Sequence, residues 1–507
     1  MKKALALFAL VVAAAAAVWW ARSGRRPPNV VVLAVDTLRA DALGCYGAPG
    51  DPTPRLDRLA AGGVVFDAAV AAAPWTLPSF ASLLTGLYPG AHGAFDVDRR
   101  LADDRFTLAE AFAERGYRTA AFTAGGWLKE SFGFAQGFEV FDEETETGKF
   151  REKIDRAVRW ADGDDDRPWF LFLHGYDVHS PYAPATRPPP PAGYEPPGEA
   201  LADTLVERVE GNRSTTDLPV SDVATAYLTV EPSGGSAALA RFRKAYAGWE
   251  ERFAKPVEEL WRRSDDFEDA LAWVEANYAA EVRQLDRELG PLLEFLDRDD
   301  VRRDTVVVLV SDHGEGFMEH GVCDHELVEE DVVRVPLVVR APGVRPGRVA
   351  TPVRGVDLFP TLSALTGAPP PPFAQGRSLL PALLGEELDP EPACSFQHVA
   401  RAAGGVEASL RLGSWKLVES RRVDGGAALF DLDSAEGETA DRKADHPDRF
   451  AWMRKALDRI RDQSDRFHRV HESGPGALDA ETLEELVELG YLGILPSRSA
   501  DEDGAGG

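Results

Sequence analysis

Residues 30–36 read Val-Val-Val-Leu-Ala-Val-Asp, six apolar residues without polar alternation that run directly into a carboxylate. A strand of that composition is buried on both faces, so its sheet needs a cover of helices on each side. Comparable runs recur at residues 119–123, 169–173 and 305–310. Helix-patterned stretches lie between them at residues 54–61, 79–84 and 108–115, with one long element over 267–296. The alternation predicts an α/β fold, a large and mostly parallel sheet sandwiched by helices. Ligands of such sheets collect beyond the carboxyl ends of the strands. That rule selects Asp36 after the first run, His174 after the second-last and Asp312-His313 after the last.

Outward from this frame, the 507 residues, 44% of them apolar, suffice for a large domain with appendages. The net charge of −28 argues against a nucleic-acid partner, because phosphate backbones are bound by basic surfaces. At the N-terminus, Lys2-Lys3 precede an apolar run over 4–21 that Arg22 and Arg25-Arg26 close, the pattern of an export signal. At about 1.5 Å per residue the run nearly crosses a hydrocarbon core of roughly 30 Å, with Trp19-Trp20 at interfacial depth. Residues 1–28 therefore read as an uncleaved membrane anchor, with a signal peptide cut near Ala17 as the alternative. Either way the protein is expected on the extracytoplasmic side of the cell envelope.

Residues 29–390 are expected to form a catalytic domain interrupted by an insertion or lid over 185–265, where prolines, glycines and acidic residues accumulate. Residues 391–496 read as a C-terminal subdomain with a small antiparallel sheet and helices at 449–461 and 480–489. The polar, Gly-rich stretch 497–507 reads as a disordered tail. Cys45, Cys323 and Cys394 offer neither a disulfide framework nor a CxxC pattern.

Three constellations carry chemistry. In Pro74-Trp75-Thr76-Leu77-Pro78-Ser79 the residues Pro78 and Ser79 suit a helix opening, so Thr76 is expected just before a helix N-terminus, where amides and the macrodipole favour an anion. A hydroxyl there attacks a tetrahedral ester when a metal ion lowers its pKa, although Thr is also a common capping residue. Asp312 and His313 supply oxygen and imidazole ligands, and Asp36 on the same edge adds a carboxylate, a convergence costly to bury without a cation. The donor set favours Zn²⁺ or Mn²⁺ over Ca²⁺ or Mg²⁺. His174, Asp177 and His179 form the third group, readable as substrate-oxygen donors, a second metal site or a general acid. His320, Asp324 and His325 follow the Asp-His pair and are expected to close the far side of the pocket.

Together these residues resemble the sulfatase family of the alkaline-phosphatase superfamily. Residues 76–93 resemble its signature, 30–47 (VVVLAVDTLRADALGCYG) its first metal strand, and 308–342, which begin VLVSDHGEGFMEHG, its second. Further matches at 278–296, 353–367, 376–379, 415–417, 429–432 and 489–491 follow the family's order. The resemblance implies an alkaline-phosphatase-like fold and one divalent metal held by Asp36, Thr76, Asp312 and His313. It further implies that His179 and His325 hold the non-bridging oxygens of the ester, with His92, His174 and Asp177 also near the substrate.

The departures from the family are as informative. Sulfatases carry Cys or Ser, matured to formylglycine, where this chain has Thr76, and their maturation motif has Arg where this chain has Phe80. Thr cannot yield that aldehyde, so no formylglycine is expected. The family's sulfate-clamping Lys and His align with Ala124 and Gly126, and Thr37 stands where calcium-binding members often have a carboxylate. A Thr nucleophile resembles the phosphoryl-transferring branch of phosphoethanolamine and phosphoglycerol transferases, phosphodiesterases and phosphonate hydrolases.

The expectation is therefore a metal-dependent hydrolase or transferase of sulfate or, preferentially, phosphate esters, acting on a small-molecule, glycan or lipid head-group substrate. The competing reading is a catalytically inactive fold that serves as an envelope binding module.

Overall fold

The computed structural model describes residues 26–145, 147–211, 215, 218–230, 236–250, 257–323, 325, 327–399 and 405–470. The expected N-terminal anchor, the helix at 480–489 and the tail lie outside these residues. Among the described residues, no helix is long and apolar enough to cross a membrane.

The strands, in chain order, are β1 (Asn29–Val35), β2 (Val64–Val70), β3 (Arg118–Phe122), β4 (Val140–Asp142), β5 (Trp169–Gly175), β6 (Thr305–Ser311), β7 (Arg334–Arg340), β8 (Gly347–Val349), β9 (Val353–Arg354), β10 (Ala393–Val399), β11 (Gly405–Leu412), β12 (Trp415–Glu419) and β13 (Ala428–Asp431). The large sheet has the order β4-β3-β5-β1-β6-β7-β2-β8, with β9 also paired to β2. Neighbours from β4 to β6 are parallel, and β7 runs against both β6 and β2. This is the mostly parallel sheet that the apolar runs predict.

Helices cover both faces. Val31, Leu33 and Val35 of β1 join one apolar cluster, whereas Val30, Val32 and Ala34 join another with Leu77, Phe80 and Ala81. Each strand residue therefore loses apolar surface to water on its own side, worth about 25 cal/mol per Å².

Five strands of the large sheet, β2, β4, β7, β8 and β9, escaped the sequence reading, and two of them show why. In β2, Val-Val-Phe-Asp-Ala-Ala-Val, the half-exposed Asp67 breaks the apolar run where the pairing with β7 shifts register between Phe66 and Ala69. In β7, Pro336 interrupts an otherwise apolar run. The single helix expected over 267–296 is two, Phe267–Glu288 and Gly290–Asp297, because Pro291 lacks the amide needed to continue the first.

The expected insertion carries the helices Glu199–Glu210, Val220–Thr229, Ser236–Glu250 and Val257–Trp261. Leu205, Val223, Trp249 and Trp261 from these helices are buried in the same cluster as Val31 and Leu33. Beyond residue 392, β10 to β13 form a separate antiparallel sheet in the order β10-β11-β12-β13. The helix Pro447–Val470 packs Met453 and Leu457 against it.

Candidate active site

Strand register brings the polar residues together. Val35 lies opposite both Gly175 of β5 and Ser311 of β6, so Asp36, His174 and Asp312 emerge side by side at the carboxyl edge. The turns there are stitched to one another. The Ser311 hydroxyl donates to the His313 carbonyl at 2.6 Å and accepts the Leu38 amide at 3.0 Å, tying the chain after β1 to the chain after β6. Ser79 donates to the Asp312 carbonyl at 2.7 Å, which docks the Thr76 helix on the same turn. Tyr278 bridges Thr37 and Arg39 by donating to one carbonyl and accepting one amide, and so holds Thr37 at φ 53°. That conformation is unusual for a β-branched residue and marks a strained turn directly after Asp36.

Thr76 is the first residue of the helix Thr76–Thr85, with Trp75 as its N-cap. The expectation that Thr76 precedes the helix is corrected by one position. The Thr76 hydroxyl lies 3.3 Å from Asp36 Oδ2 and 3.5 Å from His313 Nε2. His313 Nδ1 donates to the Gly314 carbonyl at 2.9 Å, which turns Nε2 toward Asp312 Oδ2 at 3.3 Å and Asp36 Oδ1 at 3.8 Å. Asp36, Thr76, Asp312 and His313 are all fully buried.

The donor chemistry fits a divalent cation. Asp36, Asp312 and His313 each offer one ligand atom, all within 4.8 Å of one another. Asp36 Oδ1 and Asp312 Oδ2 have no hydrogen-bond partner among the described residues. Without a cation, burial and the mutual repulsion of the two carboxylates hold Asp36 well above the usual carboxylate range, and burial raises Asp312 as well. Buried carboxylates that face one another in this way need a counter-charge to remain ionised.

The remaining sequence candidates fall at different places. His179 and His325 lie beside the cluster, their rings 5.4 Å apart, and the His325 ring stacks on His313 at 4.6 Å. His179 Nδ1 donates to the Ser180 carbonyl at 2.7 Å. His174 lies behind Asp36, with Nε2 3.4 Å from Oδ2. Asp177 accepts the Phe150 amide at 2.9 Å, and burial raises its carboxyl to about 7. Gly175 is required beside it, because a β-carbon there would come within 2.5 Å of Asp177 Oδ2. His92 turns into the protein: Nε2 lies 3.1 Å from the Ser82 hydroxyl and 3.2 Å from the Pro78 carbonyl, and Nδ1 accepts the Ala94 amide. His320 does not close this pocket but faces Asp331 and Glu438, and Asp324 lies outside the described residues.

Glu315, its partner Tyr182, and Lys153 were given no role from sequence. Glu315 accepts a hydrogen bond from Tyr182 at 2.8 Å on Oε2 and from His325 Nδ1 at 3.3 Å on Oε1. Lys153, fully buried, donates to the carbonyls of Thr123, Gly148 and His174, and burial lowers its ammonium to about 8. No sequence pattern marks a lone lysine for such a place. Glu315, by contrast, stands two residues from His313, where a carboxylate near a ligand is a signal.

Comparison with known proteins places this geometry in context. The sulfatase family model matches residues 28–368. An N-acetylglucosamine-6-O-sulfatase of Bacteroides thetaiotaomicron is 26% identical over 410 residues, 72% of each chain. The steryl-sulfatase of Mus musculus is 30% identical over 441 residues, 74% of this chain and 68% of the relative. The crystal structure of a phosphonate monoester hydrolase of Agrobacterium radiobacter superposes with a TM-score of 0.64 at 20% identity. It covers 86% of this chain and 96% of that one, a likeness of fold.

Proposed function

The chain belongs to the sulfatase family and is an ester hydrolase of that family, and from that premise we propose that Thr76 is its nucleophile and a phosphate ester its preferred substrate. The observation that carries this reading is the Thr76 hydroxyl set between Asp36 Oδ2 and His313 Nε2. A divalent cation, Zn²⁺ or Mn²⁺ by its donors, would be held by Asp36, Asp312 and His313, with the Thr76 oxygen as a fourth donor, and would supply the charge that makes the hydroxyl acidic.

The protein's own groups divide the remaining work. Thr76 directs its proton toward Asp36 Oδ2 and its oxygen toward the ester's central atom. The new Thr76 ester bond forms as the bond to the leaving alcohol breaks, and water or an acceptor alcohol later releases the group from Thr76. His325, oriented by Glu315, and His179, oriented by the Ser180 carbonyl, are proposed to hold the non-bridging oxygens. His92, with its partners inside the Thr76 helix, is read as a support for that helix rather than a substrate contact.

A phosphate rather than sulfate ester is favoured by the absence of an oxidisable Cys or Ser at position 76 and by Ala124 and Gly126 at the clamp positions. Among the proteins this chain resembles are an N-acetylglucosamine-6-O-sulfatase and a phosphonate monoester hydrolase, so both ester classes belong in the test. The location is proposed as extracytoplasmic, with residues 1–28 as the anchor or signal. The deciding experiment is turnover of matched aryl sulfate, phosphate monoester, phosphodiester and phosphonate esters with several divalent metals. Preference for the phosphorus esters is expected; hydrolysis of the sulfate ester alone would overturn the substrate reading.

A further inference from the structure

His320 was the one histidine of the 308–342 segment that the pocket did not absorb. Its Nε2 faces Asp331 Oδ1 at 3.6 Å and Glu438 Oε2 at 3.7 Å, and the three residues each offer one donor atom within 4.8 Å of the others. These separations exceed a hydrogen bond but approach the roughly 3.3–3.4 Å between donors that sit about 2.0–2.1 Å from a tetrahedral Zn²⁺. The group borders a cavity of about 500 Å³ also lined by Arg39, Asp41 and Glu319.

The carboxylates around this cavity are met by cations, Asp331 excepted, while Arg334, which also lines it, gives its Nε to the Asp67 carbonyl. Arg39 pairs with Asp41 and Glu319. Glu330 is met by Arg411 and by Lys416, and Glu438 Oε1 by Lys416 at 2.8 Å. Glu438 Oε2 accepts the Glu330 amide at 2.7 Å and keeps a lone pair toward His320. Asp331 is different. Its side chain is 6% exposed, and neither Oδ1 nor Oδ2 has a hydrogen-bond partner among the described residues. A carboxylate with both oxygens buried and unbonded costs several kcal/mol unless a cation or a proton answers it.

We infer that His320, Asp331 and Glu438 form a second divalent-cation site, suited to Zn²⁺ by one imidazole and two carboxylates, that clamps the C-terminal sheet to the large one. Glu438 lies in the turn Gly437–Thr439 after β13, whereas His320 and Asp331 belong to the chain between β6 and β7. The clamp also backs the candidate active site. The Gly314 amide donates to the Val332 carbonyl at 2.6 Å, and a β-carbon at Gly314 would lie 2.3 Å from the Asp331 carbonyl oxygen. The turn carrying Asp312 and His313 is thus seated on the segment that the second cation would fix. The role is structural, since no group of the cluster touches Thr76.

The test is the zinc content of the full chain after chelation and dialysis against buffered Zn²⁺, read by elemental mass spectrometry. Two equivalents are expected for the wild type and one each for His320→Gln and Asp331→Asn, with the melting temperature of these variants less responsive to Zn²⁺. Asp312→Asn, which disables the other site, is expected to retain one equivalent. His320→Gln and Asp331→Asn chains that keep the wild-type stoichiometry would overturn the inference, as would an Asp312→Asn chain that holds none. Should the wild type bind a single equivalent that His320→Gln loses, the clamp stands and the Thr76 site is the one that fails.

Discussion

His174 Nε2 stands 3.4 Å from Asp36 Oδ2, and both side chains are fully buried. The Ala124 amide donates to His174 Nδ1 at 3.3 Å, so the ring proton sits on Nε2 and points at the carboxylate. Burial and the nearby Lys153 hold the imidazole well below its usual pKa, which keeps it a neutral donor. A ligand carboxylate oriented in this way is expected to lose metal affinity when its partner is removed. His174→Ala should weaken divalent-metal binding by about 10–100-fold, measured by competition with a chromophoric chelator. An unchanged affinity would separate His174 from the metal centre.

Thr76→Ala removes the hydroxyl but none of the three other candidate ligands. Turnover of an aryl phosphodiester should fall by at least about 10³-fold, while zinc content stays near the wild-type level. Thr76→Ser, which keeps the oxygen, should retain a measurable fraction of activity. Mass spectrometry of the peptide bearing residue 76 should show an unmodified threonine in the wild type. An aldehyde mass there, or full activity in the alanine variant, would remove the alcohol from the mechanism.

Much of this was legible because β1, β5 and β6 are buried on both faces, and such strands print continuous apolar runs that end where ligands gather. That rule set Asp36, His174, Asp312 and His313 at one edge, and the donor chemistry and family resemblance then singled out Asp36, Asp312 and His313 as ligand candidates. The antiparallel β7 and its partner β2 were hidden by Pro336 and Asp67, each tolerated only because the local pairing is irregular or half-exposed. His92 and His320 show the limit on the site. A histidine near a motif in sequence carries no record of which way its ring turns, and these two turn to Ser82 and to Asp331. Lys153 was invisible for the converse reason, since its partners are three carbonyls that any sequence supplies.

Tyr182 and Glu315 set the orientation of His325. Glu315→Ala leaves the His325 ring without its Nδ1 acceptor, so kcat should drop about 10–100-fold with zinc content preserved. Tyr182→Phe removes one buried hydrogen bond, worth about 1 kcal/mol, and should give a smaller loss in the same direction. The double variant discriminates, because groups acting through one imidazole are not additive. Additive losses would mean that Tyr182 acts elsewhere.

Glu281 provides the pH dependence. Its side chain is buried, with Oε1 accepting the Ala183 amide at 3.1 Å and lying 3.3 Å from Lys149 Nζ, and burial pushes its carboxyl up to about 8 from 4.5. Between those values the folded chain holds a proton that the unfolded chain has released, so this group's contribution is fully present below 4.5 and is lost as pH rises through about 8. Glu281→Gln keeps the acceptor for Ala183 and cannot ionise. The melting temperature of the wild type relative to this variant should therefore fall by a few degrees, on the order of 1–3 kcal/mol, between about pH 5 and about pH 9. The Lys149 ammonium opposes the shift, and a difference that instead grew with pH would mean that the ion pair outweighs burial and that Glu281 is charged in the folded protein throughout.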